Sequence, residues 1–170
     1  MDMFSFYPLR KSIFLCLLIF LISFGLLTLE VKPLMAFTDY GNQTLIGADF
    51  SKSDLKGATF YLTDLQDADL SESNLEGASL FGAKLLNTNL SNTNLRNATL
   101  DSAVFDGTNL TNAVLENAFA YNSRFINVNI NGSDFTNVVI LGEDLKYLCS
   151  IANGTNPVTQ KDTKQTLECS

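Results

Sequence analysis

Residues 68–102 read ADLSE SNLEG ASLFG AKLLN TNLSN TNLRN ATLDS, a series of five-residue units with a small residue first and an apolar residue third. The interval continues on both sides, because every fifth residue from Leu45 to Leu145 is Leu, Phe or Ile, apart from Ala120. A helix repeats every 3.6 residues and a strand every 2, so neither keeps one face buried with a period of five. The pattern therefore predicts a chain wound into a solenoid.

The units resemble the pentapeptide-repeat family, commonly written A(D/N)LXX, and the match is clearest at residues 68–72 and 98–102. The resemblance covers about residues 43–146. It implies an all-β solenoid, a right-handed quadrilateral parallel β-helix of about five coils, in which four pentapeptides form a coil and residues twenty apart stack. In this fold the central Leu or Phe fills the interior, and the Gly or Asn two residues later suits a tight corner.

The sequence divides into four segments, which are a signal peptide over 1–36, an N-terminal lead-in over 37–42, the β-helix over 43–147 and a helical cap with a disulfide over 148–170. The first segment has Arg10 and Lys11 before a long apolar run, and the small residue Ala36 at its exit. This order is typical of a secretory signal peptide. The apolar run is nearly long enough to cross a bilayer, so an uncleaved membrane anchor is the alternative.

The period of five ends after Gly142, and a helical pattern replaces it. Leu145, Leu148 and Ala152 follow one another at helical spacing. Residues 159–162 have a capping-box-like arrangement, which predicts the start of a second short helix. We therefore expect two short helices to lie over the last coil and to cover its unpaired backbone edge.

Two cysteines, Cys149 and Cys169, remain when residues 1–36 are removed. An even number of cysteines in an exported protein predicts one disulfide, acting as a structural link or as a redox switch. The tail from Leu148 to Cys169 also resembles that of the pentapeptide proteins of the thylakoid lumen. The resemblance implies export to that lumen, with the periplasm as the other compartment.

The composition argues against catalysis. The chain has no His, and its formal net charge is −7 over 170 residues. It therefore lacks the commonest general base and metal ligand, and no phosphate-binding glycine loop or nucleophile motif occurs in it. An acidic surface repels phosphates and so disfavours nucleic acid and anionic membranes. The sequence predicts a protein that is not an enzyme and that binds no cofactor, metal or nucleic acid.

Stacking at intervals of twenty residues concentrates outward apolar side chains on two neighbouring faces. The predicted partner surface consists of Tyr61, Phe81, Leu86, Val104, Phe119, Tyr121, Ile126, Val139 and Leu141. Contiguous apolar surface of this kind usually marks a contact, although single exposed apolar residues are common. The occupant is an unidentified protein partner or a second copy of the chain, and a membrane is contacted only through an uncleaved signal segment.

These features together predict a non-catalytic, exported scaffold or assembly factor of the thylakoid lumen or periplasm. Long, rigid repeat surfaces suit that role. The family resemblance also implies an alternative, an acidic mimic of duplex DNA that binds a DNA-handling enzyme such as gyrase. The predicted signal peptide directs the chain away from such an enzyme.

Overall fold

The structure is a computed structural model, and it describes residues 38–169. Parallel backbone bridges join residues twenty apart, beginning with Asp39–Thr59 and Thr44–Asp64 and ending with Val114–Asp134. Four pentapeptides therefore complete one coil, as the family resemblance implies. The fold is the predicted right-handed quadrilateral β-helix. The predicted signal peptide, residues 1–36, lies outside the described residues.

The four faces of the solenoid are numbered in chain order by the interior residues at their centres. Face 1 contains Leu45, Leu65, Leu85, Phe105 and Phe125, and face 2 contains Phe50, Leu70, Leu90, Leu110 and Ile130. Face 3 contains Leu55, Leu75, Leu95, Leu115 and Phe135, and face 4 contains Tyr40, Phe60, Leu80, Leu100, Ala120 and Ile140. Face 1 has the most regular backbone, with strands β1 (Lys84–Leu86), β2 (Val104–Asp106) and β3 (Arg124–Ile126) in one parallel sheet.

The interior is a continuous apolar column. Leu65, Leu85 and Phe105 are fully buried on face 1, and their counterparts on the other faces are buried in the same way. Polar small residues beside the column are also buried, and their hydroxyls are paired. The Thr88 hydroxyl donates to the Leu65 carbonyl at 2.8 Å, and Thr108 donates to the Leu85 carbonyl in the same manner. Buried hydroxyls of this kind cost little because each one has an acceptor.

The first coil begins earlier than the sequence predicts. Asp39 bridges to Thr59, and the Tyr40 ring stacks on Phe60 with centroids 4.9 Å apart. Tyr40 lies five residues before Leu45 and so occupies an interior position, although it is not Leu, Phe or Ile. Residues 39–42 are therefore part of the solenoid rather than a separate lead-in.

The cap also begins earlier than predicted. Helix α1 spans Gly142–Ile151, so residues 142–147 belong to the cap and not to the β-helix. The reason is that Leu145 fits both the interval of five and the helical spacing, which extends the apparent repeat into the helix. Helix α2 spans Thr163–Thr166 and is capped by Asp162, whose side chain accepts from the Gln165 N–H. The second helix therefore starts after residues 159–162.

The cap supplies acceptors to the last coil, which has no following coil to pair with. The Phe125 N–H donates to Asp144 Oδ1 at 2.9 Å, and the Val128 N–H donates to the Tyr147 hydroxyl at 3.1 Å. The Phe135 N–H donates to Thr166 Oγ1 at 3.1 Å. These bonds close a strand edge that would otherwise be open to association with other chains.

Residues 152–162, called the strap here, fold back along the outside of face 3. The Asn156 side chain is buried, and its Nδ2 donates to the carbonyls of Asn112, Ala113 and Gly132 at 3.2, 3.3 and 2.8 Å. One Asn side chain thus fixes the strap to two successive coils.

A chain of charges continues this attachment. Lys161 Nζ lies 3.5 Å from Glu116 Oε1 and 3.5 Å from Asp134 Oδ2, and Glu116 also pairs with Arg96 at 3.1 Å. Asp134 is fully buried. Burial acts to raise the pKa of Asp134, but hydrogen bonds from Thr136, the neighbouring Thr159 hydroxyl and the Lys161 charge outweigh it, so the pKa lies below its usual value. Asp134 therefore stays ionised beneath the strap.

Candidate interaction surface

Face 4 carries most of the large apolar side chains that are exposed among residues 38–169. Each coil places two side chains outward on this face, one on either side of the interior residue. In the last two coils these residues are Phe119 and Tyr121, then Val139 and Leu141, and 59–64% of each is exposed. The apolar stripe extends from Tyr61 to Leu141, roughly 19 Å at the usual spacing of neighbouring strands.

The upper patch of this stripe consists of Tyr61, Leu62 and Phe81. The rings of Tyr61 and Phe81 stack with centroids 5.5 Å apart and planes 13° apart. Leu62 is at a corner with a φ of 53°, which is an uncommon conformation for Leu. Its side chain lies over Gly82, where an added Cβ would be only 2.6 Å from Leu62 Cδ2. Gly82 thus makes room for an exposed apolar corner.

The lower patch consists of Phe119, Tyr121, Val139 and Leu141, and a pocket of about 480 Å³ opens within it. Phe119, Tyr121 and Val139 line the pocket, and the backbone beneath it passes through Ala120. Ala120 is the one interior position from 45 to 145 without Leu, Phe or Ile. The neighbouring column has Phe105 stacked on Phe125 at a centroid distance of 4.9 Å. The pocket makes the lower patch concave, whereas the upper patch presents two stacked aromatic rings.

The coil between the two patches places two polar residues outward, Thr99 and Asp101. Asp101 lines the same pocket, and its Oδ1 accepts from the Tyr121 N–H at 2.7 Å. No lysine or arginine among residues 38–169 forms an ion pair with Asp101, although other acids pair along face 3, as in Lys56–Glu76 at 2.9 Å. The pocket thus combines apolar and aromatic walls and two amides, Asn117 and Asn137, with one negative charge that has no cationic partner in the described structure.

The structure divides the predicted surface between two faces. Six of the nine predicted residues, Tyr61, Phe81, Phe119, Tyr121, Val139 and Leu141, are exposed on face 4. The other three, Leu86, Val104 and Ile126, are half-buried on strands β1, β2 and β3 of face 1. Only the face 4 residues are therefore exposed, and they lie in two patches along one face.

Sequence reasoning missed two residues of this surface. Leu62 occupies the corner position at which the repeat has Gly or Asn in most units, and this departure could have identified it as an outward apolar residue. Asp101 was visible as an acid between Phe81 and Tyr121 in the column of residues twenty apart. Its meaning depended on the pocket beside it, which the spacing of residues does not reveal.

Face 2 shows how a polar face of the same solenoid differs. Asn89 Nδ2 donates to Asp69 Oδ1 at 3.1 Å, and Asn109 Nδ2 donates to Asn89 Oδ1 at 3.2 Å. At the top of this column the Ser51 hydroxyl and N–H hold the pKa of Asp49 below its usual value. The polar groups of face 2 therefore bond mainly to one another, and the face resembles a hydrated wall.

The structure shows neither a metal site nor a membrane span in the part of the chain that it describes. Residues 38–169 contain no group of three or more His, Cys, Asp or Glu residues placed to hold a metal ion. Neither α1 nor α2 has the length and apolar character that a bilayer crossing needs. Cys149 and Cys169 form a disulfide with Cα atoms 5.6 Å apart, which joins α1 to the end of the cap.

Comparison with known proteins identifies the family. The family model for pentapeptide repeats matches residues 44–80, 73–112 and 103–140, more than half of the chain. The chain therefore belongs to the pentapeptide-repeat family. The family and its thylakoid-lumen members are non-catalytic structural and interaction proteins, and this chain, as a member of the family, is not an enzyme.

Three known proteins are similar to this chain. A pentapeptide repeat protein from the thylakoid lumen of Arabidopsis thaliana has a crystal structure that is 40% identical, with a TM-score of 0.74 over 75% of this chain and 89% of that one. The chloroplastic thylakoid lumenal 15 kDa protein 1 of Arabidopsis thaliana is 42% identical over 48 residues, which are 28% of this chain and 21% of that protein. A pentapeptide repeat protein of the cyanobacterium Cyanothece, Rfr23, is 30% identical with a TM-score of 0.39 over 54% of this chain and 63% of that one.

Proposed function

We propose that the protein is a non-catalytic scaffold or assembly factor of the thylakoid lumen and that it binds a protein partner through face 4. The observation that carries this proposal is the exposed apolar stripe on that one face. Large side chains such as Phe119 and Leu141 remain more than half exposed, while the polar groups of face 2 pair with one another. Rigid repeat proteins commonly use one extended surface for binding.

The lumenal location is supported by the relatives and by the sequence. Two similar proteins are lumenal by name, and residues 1–36 have the pattern of a signal peptide. Fractionation of the native organism tests this part of the proposal, and we expect the protein among soluble lumenal proteins. Recovery from the stroma or cytoplasm would contradict it and would revive the DNA-mimic alternative.

Site-specific photo-cross-linking tests the binding surface. A benzoylphenylalanine at Phe119 of the full chain should give a discrete adduct in the native compartment. The same group at Asn129 is the matched control, since both residues precede an interior residue and both are exposed, but Asn129 is on face 2. The adduct should disappear when Phe81 and Tyr121 are both replaced by Ala. Equal adducts from both positions, or none from Phe119, would count against the proposal.

A further inference from the structure

Building on the proposed function, we infer that the lower-patch pocket binds an arginine side chain of the partner protein, with Asp101 as the counter-charge. The pocket of about 480 Å³ has Phe119, Tyr121 and Val139 on its walls and Asp101 as its charged residue. This combination suits a group that has an apolar stem and a positive end.

Asp101 is held in position to receive such a group. Its Oδ1 accepts from the Tyr121 N–H at 2.7 Å, which orients the carboxylate at the pocket that Tyr121 also lines. The second carboxylate oxygen forms no ion pair with any residue in the described range 38–169. A carboxylate that is already oriented binds a cation without a further loss of side-chain entropy.

The aromatic walls favour arginine over lysine. Phe119 and Tyr121 are 62% and 59% exposed and so present open ring surface on either side of the pocket. A guanidinium is planar, stacks on aromatic faces and is weakly hydrated, whereas an ammonium is a compact and strongly hydrated charge. Arginine is also enriched among the residues that dominate binding energy at protein interfaces. The net charge of −7 favours a basic partner at longer range.

A second copy of the chain does not match the stripe. Two antiparallel copies placed face 4 to face 4 would bring the apolar patches together, but they would also set the two Asp101 carboxylates opposite each other. Two parallel copies would bring the lower patches together, but they would set Asp101 against Thr99 and so cover its carboxylate without a cation. Opposed like charges and a covered charge without a partner are both costly at an interface. Charge complementarity therefore assigns the pocket to a cationic residue of another protein.

The test uses a defined probe. The acetylated and amidated tripeptide Leu-Arg-Leu is titrated into the ¹⁵N-labelled full chain, and the amide signals of Asp101, Phe119 and Tyr121 are followed by NMR. We expect these signals to shift together. The tripeptide with citrulline in place of arginine keeps the shape without the charge, and we expect it to bind about fivefold more weakly.

Asp101→Asn keeps the acceptor for the Tyr121 N–H and removes the charge, so it should weaken the arginine probe about fivefold and leave the fold intact. Asp106→Asn is the matched control, because Asp106 follows the interior residue of the neighbouring face 1, and it should change nothing. Equal binding of both probes, shifts elsewhere, no shifts at all, or an unaltered affinity in Asp101→Asn would overturn the inference. Dimerisation of Asp101→Asn in sedimentation without probe binding would overturn it in favour of a second copy.

Failure of the inference and failure of the proposed function are distinguishable. If cross-linking from Phe119 captures a partner while the arginine probe leaves the pocket signals unchanged, face 4 binds that partner by other means and only the inference fails. If the probe binds in the Asp101-dependent manner but no cross-link forms in the native compartment, the pocket stands and the proposed function fails.

Discussion

The coils and the cap provide different kinds of acceptor for the backbone N–H groups of the solenoid. Within the coils the acceptor is a backbone carbonyl of the next coil, as in the Leu70 N–H to the Asn89 carbonyl at 2.8 Å. At the end of the solenoid the Gly132 N–H still uses a backbone carbonyl, that of Asn153 at 2.9 Å, but the Phe125 N–H uses the Asp144 carboxylate and the Phe135 N–H uses the Thr166 hydroxyl. A carbonyl is present whatever the side chain is, whereas a side-chain acceptor depends on one residue.

This difference separates two kinds of stability in one chain. Each coil buries its interior residues only against its neighbours, so stability accrues along the axis and a weak coil interrupts the whole stack. The cap adds Leu148, Ala152 and Leu167 to the end of the same apolar core, and a few polar side chains attach it further. We therefore expect damage to a coil to lower global stability and damage to the cap to release the cap first.

The largest expected effect follows from Phe105→Ala. Phe105 is fully buried and stacks on Phe125 with ring planes 7° apart, so its removal leaves a cavity in the middle of the column. We expect urea denaturation followed by circular dichroism to show a loss of about 3–5 kcal/mol in the free energy of unfolding. Leu148→Ala is the counterpart in the cap and should cost less overall. Equal losses that unfold both regions together would refute the distinction between coils and cap.

Removal of the disulfide should have the next largest effect. The bond closes a loop between residues separated by 20 positions, and replacing Cys149 and Cys169 by Ser should cost about 3 kcal/mol. Hydrogen exchange should then speed up in residues 142–169 and stay slow in the middle coils. Reduction of the unmodified protein should give the same exchange pattern. Faster exchange throughout the solenoid would show that the cap controls the stability of the coils.

A smaller loss is expected from Asn156→Ala. The buried Nδ2 of Asn156 serves three carbonyls, and its Oδ1 accepts from the N–H groups of Val158 and Thr159. Leaving buried carbonyls unpaired should cost about 2 kcal/mol in thermal or urea unfolding. Asn89→Ala is the control, because Asn89 is half-buried in the face 2 ladder and solvent can replace its bonds. If the two losses were equal, Asn156 would be no special anchor of the strap.

The same contrast explains how much of the fold could be predicted from the sequence. The coils repeat one rule at nineteen positions from Leu45 to Ile140, so the interval of five defined the interior, and the family resemblance supplied the four faces. Tyr40 was not predicted as an interior residue because the rule admitted only Leu, Phe and Ile at that position. Leu145 satisfies both the interval of five and the helical spacing, so it was assigned to the β-helix. The cap was therefore predicted to begin at residue 148, whereas its helix begins at Gly142.

The candidate site was predictable only in part. Columns of residues twenty apart located Phe119, Tyr121 and Val139 on one face, because a parallel stack turns sequence spacing directly into position. The pocket between them depends on the depth of the surface around Ala120, which spacing does not encode. The strap over face 3 was missed for a similar reason, since Asn156 meets carbonyls of residues more than twenty positions away.

The smallest expected effect concerns pH, and it compares an acid under the strap with an acid of the first coils. The pKa of Asp134 is lowered in the folded protein, since Thr136, Thr159 and Lys161 together outweigh the cost of its burial. Because the folded pKa is depressed, the ionised group contributes stability above the unfolded value of about 3.9, and this contribution is lost as the pH falls through the folded pKa. Asp134→Asn should therefore flatten the acid limb of a stability profile measured between about pH 2 and pH 6.

Asp49 also has a lowered pKa but is exposed in face 2, so Asp49→Asn should flatten that limb less. A larger effect from Asp49 would mean that the charges beneath the strap contribute little to holding it against face 3.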